Sequence, residues 1–235
     1  MKLLSIDTST KNLSLAVSDG GEVIRYRNVP SAQIVSKSII PQIRRILGLF
    51  QMTVNDLDGL VVGTGPGSFT GLRVGLSTVK GLAFALDKPV VGVSSLDIIA
   101  SGVVTDMERI CIISDARRNM VYAAFYQRTA SGVCRVSDYL LAGIDGVLNE
   151  IKEPTALAGD GIRIFKEDIL KKKVRAGIFI VQEKYWFPQA RHLAVLGMER
   201  FKDKKTDHVG QLVPLYLYPE NCQVDKKVIT GKRGK

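Results

Sequence analysis

"GTGPGSFTGLRVG", residues 63–75, packs five glycines, one proline and one arginine into a short space, and its reading decides how the chain is assembled. A phosphate-cradling P-loop has glycines five apart followed by Lys and Ser or Thr, so that backbone amides wrap the phosphates and the lysine reaches the terminal one. The fifth positions after Gly63, Gly65 and Gly67 are Ser68, Thr70 and Leu72. The dinucleotide pattern needs glycine three after its second glycine, where Gly65 and Gly67 lead to Ser68 and Thr70. Neither phosphate motif is present. The stretch fits a tight loop ending at Ser68, a good N-cap, with a helix beginning at Phe69.

On that helix Gly71, Gly75, Thr78, Leu82 and Ala85 share one face. An interior glycine costs about 1 kcal/mol relative to alanine. Close approach of another helix is the usual offset, because a missing Cβ lets backbones touch. The approaching helix is either internal, from residues 33–50, or a partner's; an anion at the helix N-terminus is a third reading.

Outward from this stretch, "LLSIDTS" (3–9), "LSLAVSD" (13–19) and "EVIRYRNV" (22–29) read as a three-stranded meander, with "SDGGE" as a turn. Ile39, Ile43, Ile46 and Phe50 fall at helical spacing between 33 and 50, with Pro41 expected to kink that helix. "LDGLVVGTGP" reads as a buried strand, "PVVGVSS" as another, and 96–101 as a third helix. The order β-β-β-α-β-α-β-α implies an α/β fold with a mixed sheet flanked by helices. The pattern restarts near Thr105 with "RICIISDA" and "NMVYAAFYQR", which suggests a second, smaller lobe; loops are expected from there to about Lys184. "WFPQARHLAVLGMERF" reads as a late helix with Pro188 in its first turn and Ala190, Ala194, Gly197 and Phe201 on one face. No internal repeat is visible. The expected division is 1–105 for the first lobe, with 186–222 packing back on it, 106–185 for the second, and 223–235 as a flexible basic tail.

At 235 residues and 46% hydrophobic, the chain buries one large core or two small ones. The opening lacks a signal h-region, and no apolar run reaches the roughly 20 residues of a membrane span, so a cytoplasmic protein is expected. Cys111, Cys134 and Cys222 form no C-x-x-C pair and read as buried reduced thiols, with no metal site. The formal charge of +10 favours polyanionic partners, and the excess gathers in "KKKVR" (171–175) and in the tail, which has no aromatic residue for base stacking. His192 and His208 are the only histidines, too far apart for H-E-x-x-H, and no G-x-S-x-G elbow exists, so a protease is excluded. His192 reads as a surface helix residue.

"GTGPGSFTGLRVGLSTVKGLAFAL", "DTST", "SDARRNMVYAAFY", "AGDG", "FPQARHLAVLG" and "VPLYLYP" together resemble the TsaB (YeaZ) family of tRNA threonylcarbamoyladenosine biosynthesis. The resemblance implies a two-lobed actin-like ATPase (RNase H-like) fold with mixed sheets flanked by helices and a reduced second lobe. It implies a non-catalytic scaffold or activator that pairs with a TsaD-like transferase subunit, is joined by a TsaE-like ATPase, meets tRNA through the complex and forms a homodimer in isolation. The helices at 33–50 and 69–86 would form the association surface, with Val35, Ile39, Gly71, Gly75, Thr78 and Leu82 on it and Arg73 and Lys80 on a neighbouring face as polar partner or RNA contacts. One departure stands out: the family's His-Ser-Glu ahead of the helix proline is Val35-Ser36-Lys37 here.

The superfamily binds nucleotide with two glycine-bearing phosphate hairpins and an adenosine loop. Asp7-Thr8-Ser9 resembles the first hairpin, Asp115-Ala116-Arg117 the second, and Gly159-Asp160-Gly161 the adenosine loop. Ser9 and Arg117 stand where the superfamily places glycine, and a side chain there obstructs close backbone approach. These positions read as vestigial: no cofactor is expected, at most weak nucleotide binding. Asp7 is equally readable as a turn carboxylate capping nearby amides. Rival readings are a small actin-like ATPase or kinase and a free-standing RNA-binding module.

Overall fold

A computed structural model describes residues 1–30 and 35–218, apart from the side chains of residues 30, 35–38 and 173–176. The expected tail at 223–235, Cys222, the start of the first helix at 33 and the side chains of Val35 and Lys37 lie outside the described residues.

The first sheet opens with the meander β1 (Leu3–Asp7), β2 (Asn12–Asp19) and β3 (Glu22–Pro30). Helix α1 (Val35–Gly48) leads to β4 (Gly59–Gly65), α2 (Phe69–Leu86) to β5 (Val90–Ser94), and α3 (Ser95–Gly102) leaves the sheet. The strand order is β3-β2-β1-β4-β5, with β1 antiparallel to β2 and parallel to β4. Strand alternation sorts the side chains onto two faces. Leu4, Ile6, Leu13, Leu15, Leu60 and Val62 point to one core with Ile39, Ile43 and Ile46 of α1 and Leu76, Val79 and Ala83 of α2. Leu3, Val61, Val91 and Val93 point to the other, where α7 (Ala190–Lys202) returns with Leu193 and Met198. Each such aliphatic side chain contributes roughly 1.5–3 kcal/mol of burial.

The second sheet repeats the plan. Strands β6 (Arg109–Arg117), β7 (Met120–Thr129) and β8 (Gly132–Arg135) form a meander. Strand β9 (Leu140–Gly143) and α4 (Ile144–Glu150) lead to β10 (Thr155–Ala158), and α5 (Gly161–Ile164) and α6 (Lys166–Ala176) to β11 (Ile178–Ile180). The path β8-β7-β6-β10-β11 copies β3-β2-β1-β4-β5, with β9 added on β7. The reduction of this lobe lies in its helices of 7, 4 and 11 residues against 14 and 18 in the first.

Three local expectations are corrected. Phe50 lies beyond α1 and is 39% exposed: after Gly48 the chain turns back through bonds from Phe50 N and Met52 N to the Leu47 carbonyl, so Met52 takes the core contact. Pro188 precedes the N-cap Gln189 of α7 and is not in its first turn. The region expected as loops up to Lys184 contains β8 to β11 and three helices, each too short for its periodicity to be read.

Candidate functional site

The turn after β1 reaches the carboxyl ends of the parallel strands, where α/β sheets place their ligands. Asp7 is fully buried there. Its Oδ1 accepts from Ser9 N at 3.1 Å and Ser9 Oγ at 2.8 Å, and Ser95 Oγ at the start of α3 lies 3.4 Å from Oδ2. Burial pushes its carboxyl up from 3.8 to about 6, against those hydrogen bonds.

The glycines of residues 63–75 are explained by this turn. A Cβ on Gly63 would overlap Asp7 Oδ2, one on Gly67 the Ser9 carbonyl, one on Gly71 the Thr8 carbonyl and one on Gly75 Thr8 Oγ1. Ser68 N donates to Ser9 O at 2.7 Å and Thr8 Oγ1 to Gly71 O at 2.8 Å. Ser68 caps α2 as expected, accepting from Gly71 N at 3.2 Å. Gly71 and Gly75 therefore do not serve the approach of a second helix; they seat Thr8, sixty-three residues from Gly71 in sequence.

The second lobe mirrors this arrangement. Asp115 near the end of β6 accepts from Arg117 N at 2.7 Å, and Asp115 N donates to Asp160 Oδ1 at 3.0 Å. Burial raises the Asp160 carboxyl, and the charge of Asp115 adds to that. Arg117, Arg118 and Asn119 all adopt positive φ, at 66°, 51° and 57°. Gly159 has φ +113°, and Gly159 and Gly161 pack on the backbone of Ile113, so this loop is fitted against β6. In both hairpins a backbone amide bonds a carboxylate, and the first hairpin is buried under residues 67–75.

The segment after α7 joins the two lobes, which the sequence reading missed. Leu215 N donates to Thr64 O of β4 at 2.8 Å, and Tyr218 Oη to Ala116 O of β6 at 2.9 Å. Lys80 Nζ donates to the carbonyls of Gly210 and Leu212, and Arg73 Nε to Tyr216 Oη at 3.2 Å while its guanidinium covers the Phe69 ring at 3.8 Å. Arg73 and Lys80, expected as partner or RNA contacts, are thus engaged by their own chain. A second bridge lies at Asp97 of α3, which accepts from Tyr126 Oη at 2.8 Å and Tyr139 Oη at 2.6 Å.

The expected association residues are placed as follows. Ile39 is 1% exposed in the core, and Gly71 and Gly75 are covered by Thr8, so none of the three is open to a partner. Thr78 is half-buried and donates to Val74 O at 2.8 Å, and Leu82 packs half-buried on the core. The face that α2 turns outward is Thr70, Ser77, Gly81, Phe84 and Ala85, with Phe84 87% exposed; on α1 it is Ile40, Arg44 and Arg45. Cys111 is buried, and burial raises its thiol, but Cys134 on the short strand β8 is exposed, against expectation. No described helix is long and apolar enough to cross a membrane.

A family profile for TsaD, tRNA N6-adenosine threonylcarbamoyltransferase, matches residues 31–220. The tRNA threonylcarbamoyladenosine biosynthesis protein TsaB of Bacillus subtilis (strain 168) is 33% identical over 223 residues, covering 92% of this chain and 94% of the relative. That of Escherichia coli (strain K12) is 28% identical over 224 residues, with the same coverage. Among solved structures, YeaZ from Pseudomonas aeruginosa superposes with a TM-score of 0.75 at 26% identity, covering 92% of this chain and 99% of the other. Match in both sequence and architecture over nearly the full length places the chain in a family: it belongs to the TsaB (YeaZ) proteins of the TsaD family.

Proposed function

We propose that this chain is a non-catalytic subunit of tRNA N6-threonylcarbamoyladenosine synthesis, pairing with a TsaD-like transferase subunit that moves threonylcarbamoyl to the adenosine following the anticodon. A TsaE-like ATPase joins the pair, tRNA is met through the complex, and the isolated chain self-associates through the same face, all in the cytoplasm. The family supports the pathway. The hairpin amides engaged by Asp7, Asp115 and Asp160 support the non-catalytic role: no cofactor is required, and any nucleotide is held weakly.

The observation that carries the pairing is the outward face of α2, where Phe84 stands 87% exposed one turn beyond Gly81, whose Cα has open space around it. An exposed aromatic beside a glycine lets a partner helix approach closely and bury a large ring. The test is light scattering of the chain mixed with its transferase partner. A one-to-one complex is expected, lost in Phe84→Asp while the melting temperature stays within about 2 °C, as for a surface change. No complex with the unaltered chain would refute the pairing; a complex indifferent to Phe84→Asp would refute the face.

A further inference from the structure

The two helices that cover one face of the first sheet differ in charge from the other long helices. Between Glu22 and Asp56 the sequence holds five Lys or Arg and no carboxylate, and between Asp58 and Asp87 it holds Arg73 and Lys80 and again none. Helices α1 and α2 lie wholly inside these stretches, whereas α3, α4, α6 and α7 each contain Asp or Glu. The carboxylates that border the stretches are committed elsewhere. Asp56 Oδ2 accepts from Thr53 N at 2.7 Å and Thr53 Oγ1 at 2.9 Å, Asp58 Oδ2 accepts from Lys2 N at 2.7 Å, and Asp87 closes α2 as its C-cap.

Strand register and helix phase put the cations on the outer side of this layer. Leu15 and Val17 of β2 face α1, and their neighbours on the edge strand β3 are Arg27 and Arg25, so both arginines stand on the α1 side of the sheet. On α1 the core takes Ile39, Ile43, Ile46 and Leu47, which leaves Ile40, Arg44 and Arg45 exposed. On α2, Arg73 is exposed with the Phe84 ring. The layer thus offers a large ring and an isoleucine with arginines beside them. An apolar centre with a charged border is the anatomy of a protein interface. A phosphodiester backbone would answer the arginines and leave the ring and the isoleucine uncovered.

We infer that the α1–α2 face is built for a protein surface that brings carboxylates around an apolar centre, and that this charge pattern ranks the transferase subunit above a second copy of the chain. This deepens the pairing reading above and rests on it. A two-fold pair sets one patch against itself. Whatever the rotation, neither copy's α1 or α2 has a carboxylate to offer the other's arginines, so the self-pair is held by apolar contact against like-charge repulsion. A partner with Asp or Glu at the border removes that repulsion and gains a steered approach and a fixed register. The self-pair is then the weaker, exchangeable form, and charge drives the exchange.

The experiment follows association by light scattering and sedimentation equilibrium at about 50 and about 500 mM salt, where screening of exposed charges differs most. The chain is examined alone, with its transferase partner and with a tRNA transcript. Compared are the unaltered chain, Arg44→Glu/Arg45→Glu, and the charge-matched pair Lys152→Glu/Lys166→Glu on the second lobe. All four positions are exposed, so melting temperatures should stay within about 2 °C of the unaltered chain. The arginine variant should weaken the heterocomplex on the order of tenfold at low salt and only about twofold at high salt. The lysine pair should leave it unchanged. Self-association should respond in the opposite sense and tighten as salt rises, and the arginine variant mixed with the unaltered chain should form mixed pairs in excess of either self-pair. Equal loss in the lysine pair would mean net charge alone and overturn the inference. So would merely statistical pairing in the mixture, or an arginine variant that loses tRNA and keeps the heterocomplex, which would give the face to nucleic acid. A heterocomplex indifferent to both salt and charge reversal sinks the inference alone; no heterocomplex at either salt sinks the functional reading and the inference with it.

Discussion

Gly75→Ala tests whether the glycines of α2 are seats for the β1 turn. A methyl at this position overlaps Thr8 Oγ1, so Thr8 must move, and its 2.8 Å bond to the Gly71 carbonyl goes with it. Forcing a methyl into a filled site destabilises by about 1–3 kcal/mol. Losing the hydrogen bond adds about 1 kcal/mol, and alanine's better helix propensity returns about 1 kcal/mol. The net loss is about 1–3 kcal/mol, a fall in melting temperature of roughly 3–10 °C for a chain this size. Gly81→Ala on the same helix, with nothing within 4 Å of its added methyl, should instead stabilise by up to about 1 kcal/mol. Thr8→Ala supplies the second arm of a double-mutant cycle. With Oγ1 gone the nearest atom is the residue-8 Cβ at 3.3 Å, so Gly75→Ala becomes close to neutral in that background. The expected coupling is about 1–3 kcal/mol, read from denaturant melts of the four proteins. If Gly75→Ala stabilises as much as Gly81→Ala, the glycine faces open space and the seat is wrong.

Asp7→Asn should become more stabilising, relative to the unaltered chain, as pH rises from about 4 to 7. The folded carboxyl at about 6 binds its proton more tightly than the unfolded one at 3.8, so its stability contribution is lost through that window, by about 3 kcal/mol. His192, depressed to about 4, acts in the opposite direction between 4 and 6.5, which is why the difference between the two proteins is measured; a flat difference refutes the assignment. Asp97→Ala strands two tyrosine hydroxyls, one of them on the 1%-exposed Tyr126, and should destabilise by about 2–4 kcal/mol, with Asp97→Asn milder; equal melts would show the bridge idle. Tyr218→Ala removes the bond to Ala116 and should raise hydrogen exchange in residues 213–218 without altering β1 or β4; unchanged exchange there would deny this tyrosine an anchoring role.

The first sheet was legible because its elements are long enough to show their period. Strands of five to nine residues alternate, and the Ser68 cap with eighteen helical residues after it states its own beginning. The partner of a small-residue stripe is another matter. Gly71, Gly75 and Thr78 read the same whether a foreign helix, a neighbouring helix or a turn from residue 8 lies against them, because spacing records absent side chains and not what fills the gap. The bridge of residues 213–218 was hidden for a different reason. It is held by single anchors, Leu215 to Thr64 and Tyr218 to Ala116, which leave no periodic trace. Arg73 and Lys80 could not be assigned without it, since their acceptors are supplied by residues 130 or more positions away.

The same topology in both sheets, without a visible sequence repeat, sets the same local demand twice. What the topology demands is alternating burial and a sharp turn after the first strand of each sheet; what a nucleotide site demands is free amides at those turns. Asp7 and Asp115 meet the first demand by drawing the amides of Ser9 and Arg117 onto their own carboxylates. Asp160 does the same to the Asp115 amide from across the second lobe. The turn of the first lobe is then seated on four glycines and both lobes are tied by Tyr218 and Asp97. A two-lobed fold tied in this way presents fixed outer surfaces, the outward face of α2 with its exposed Phe84 among them.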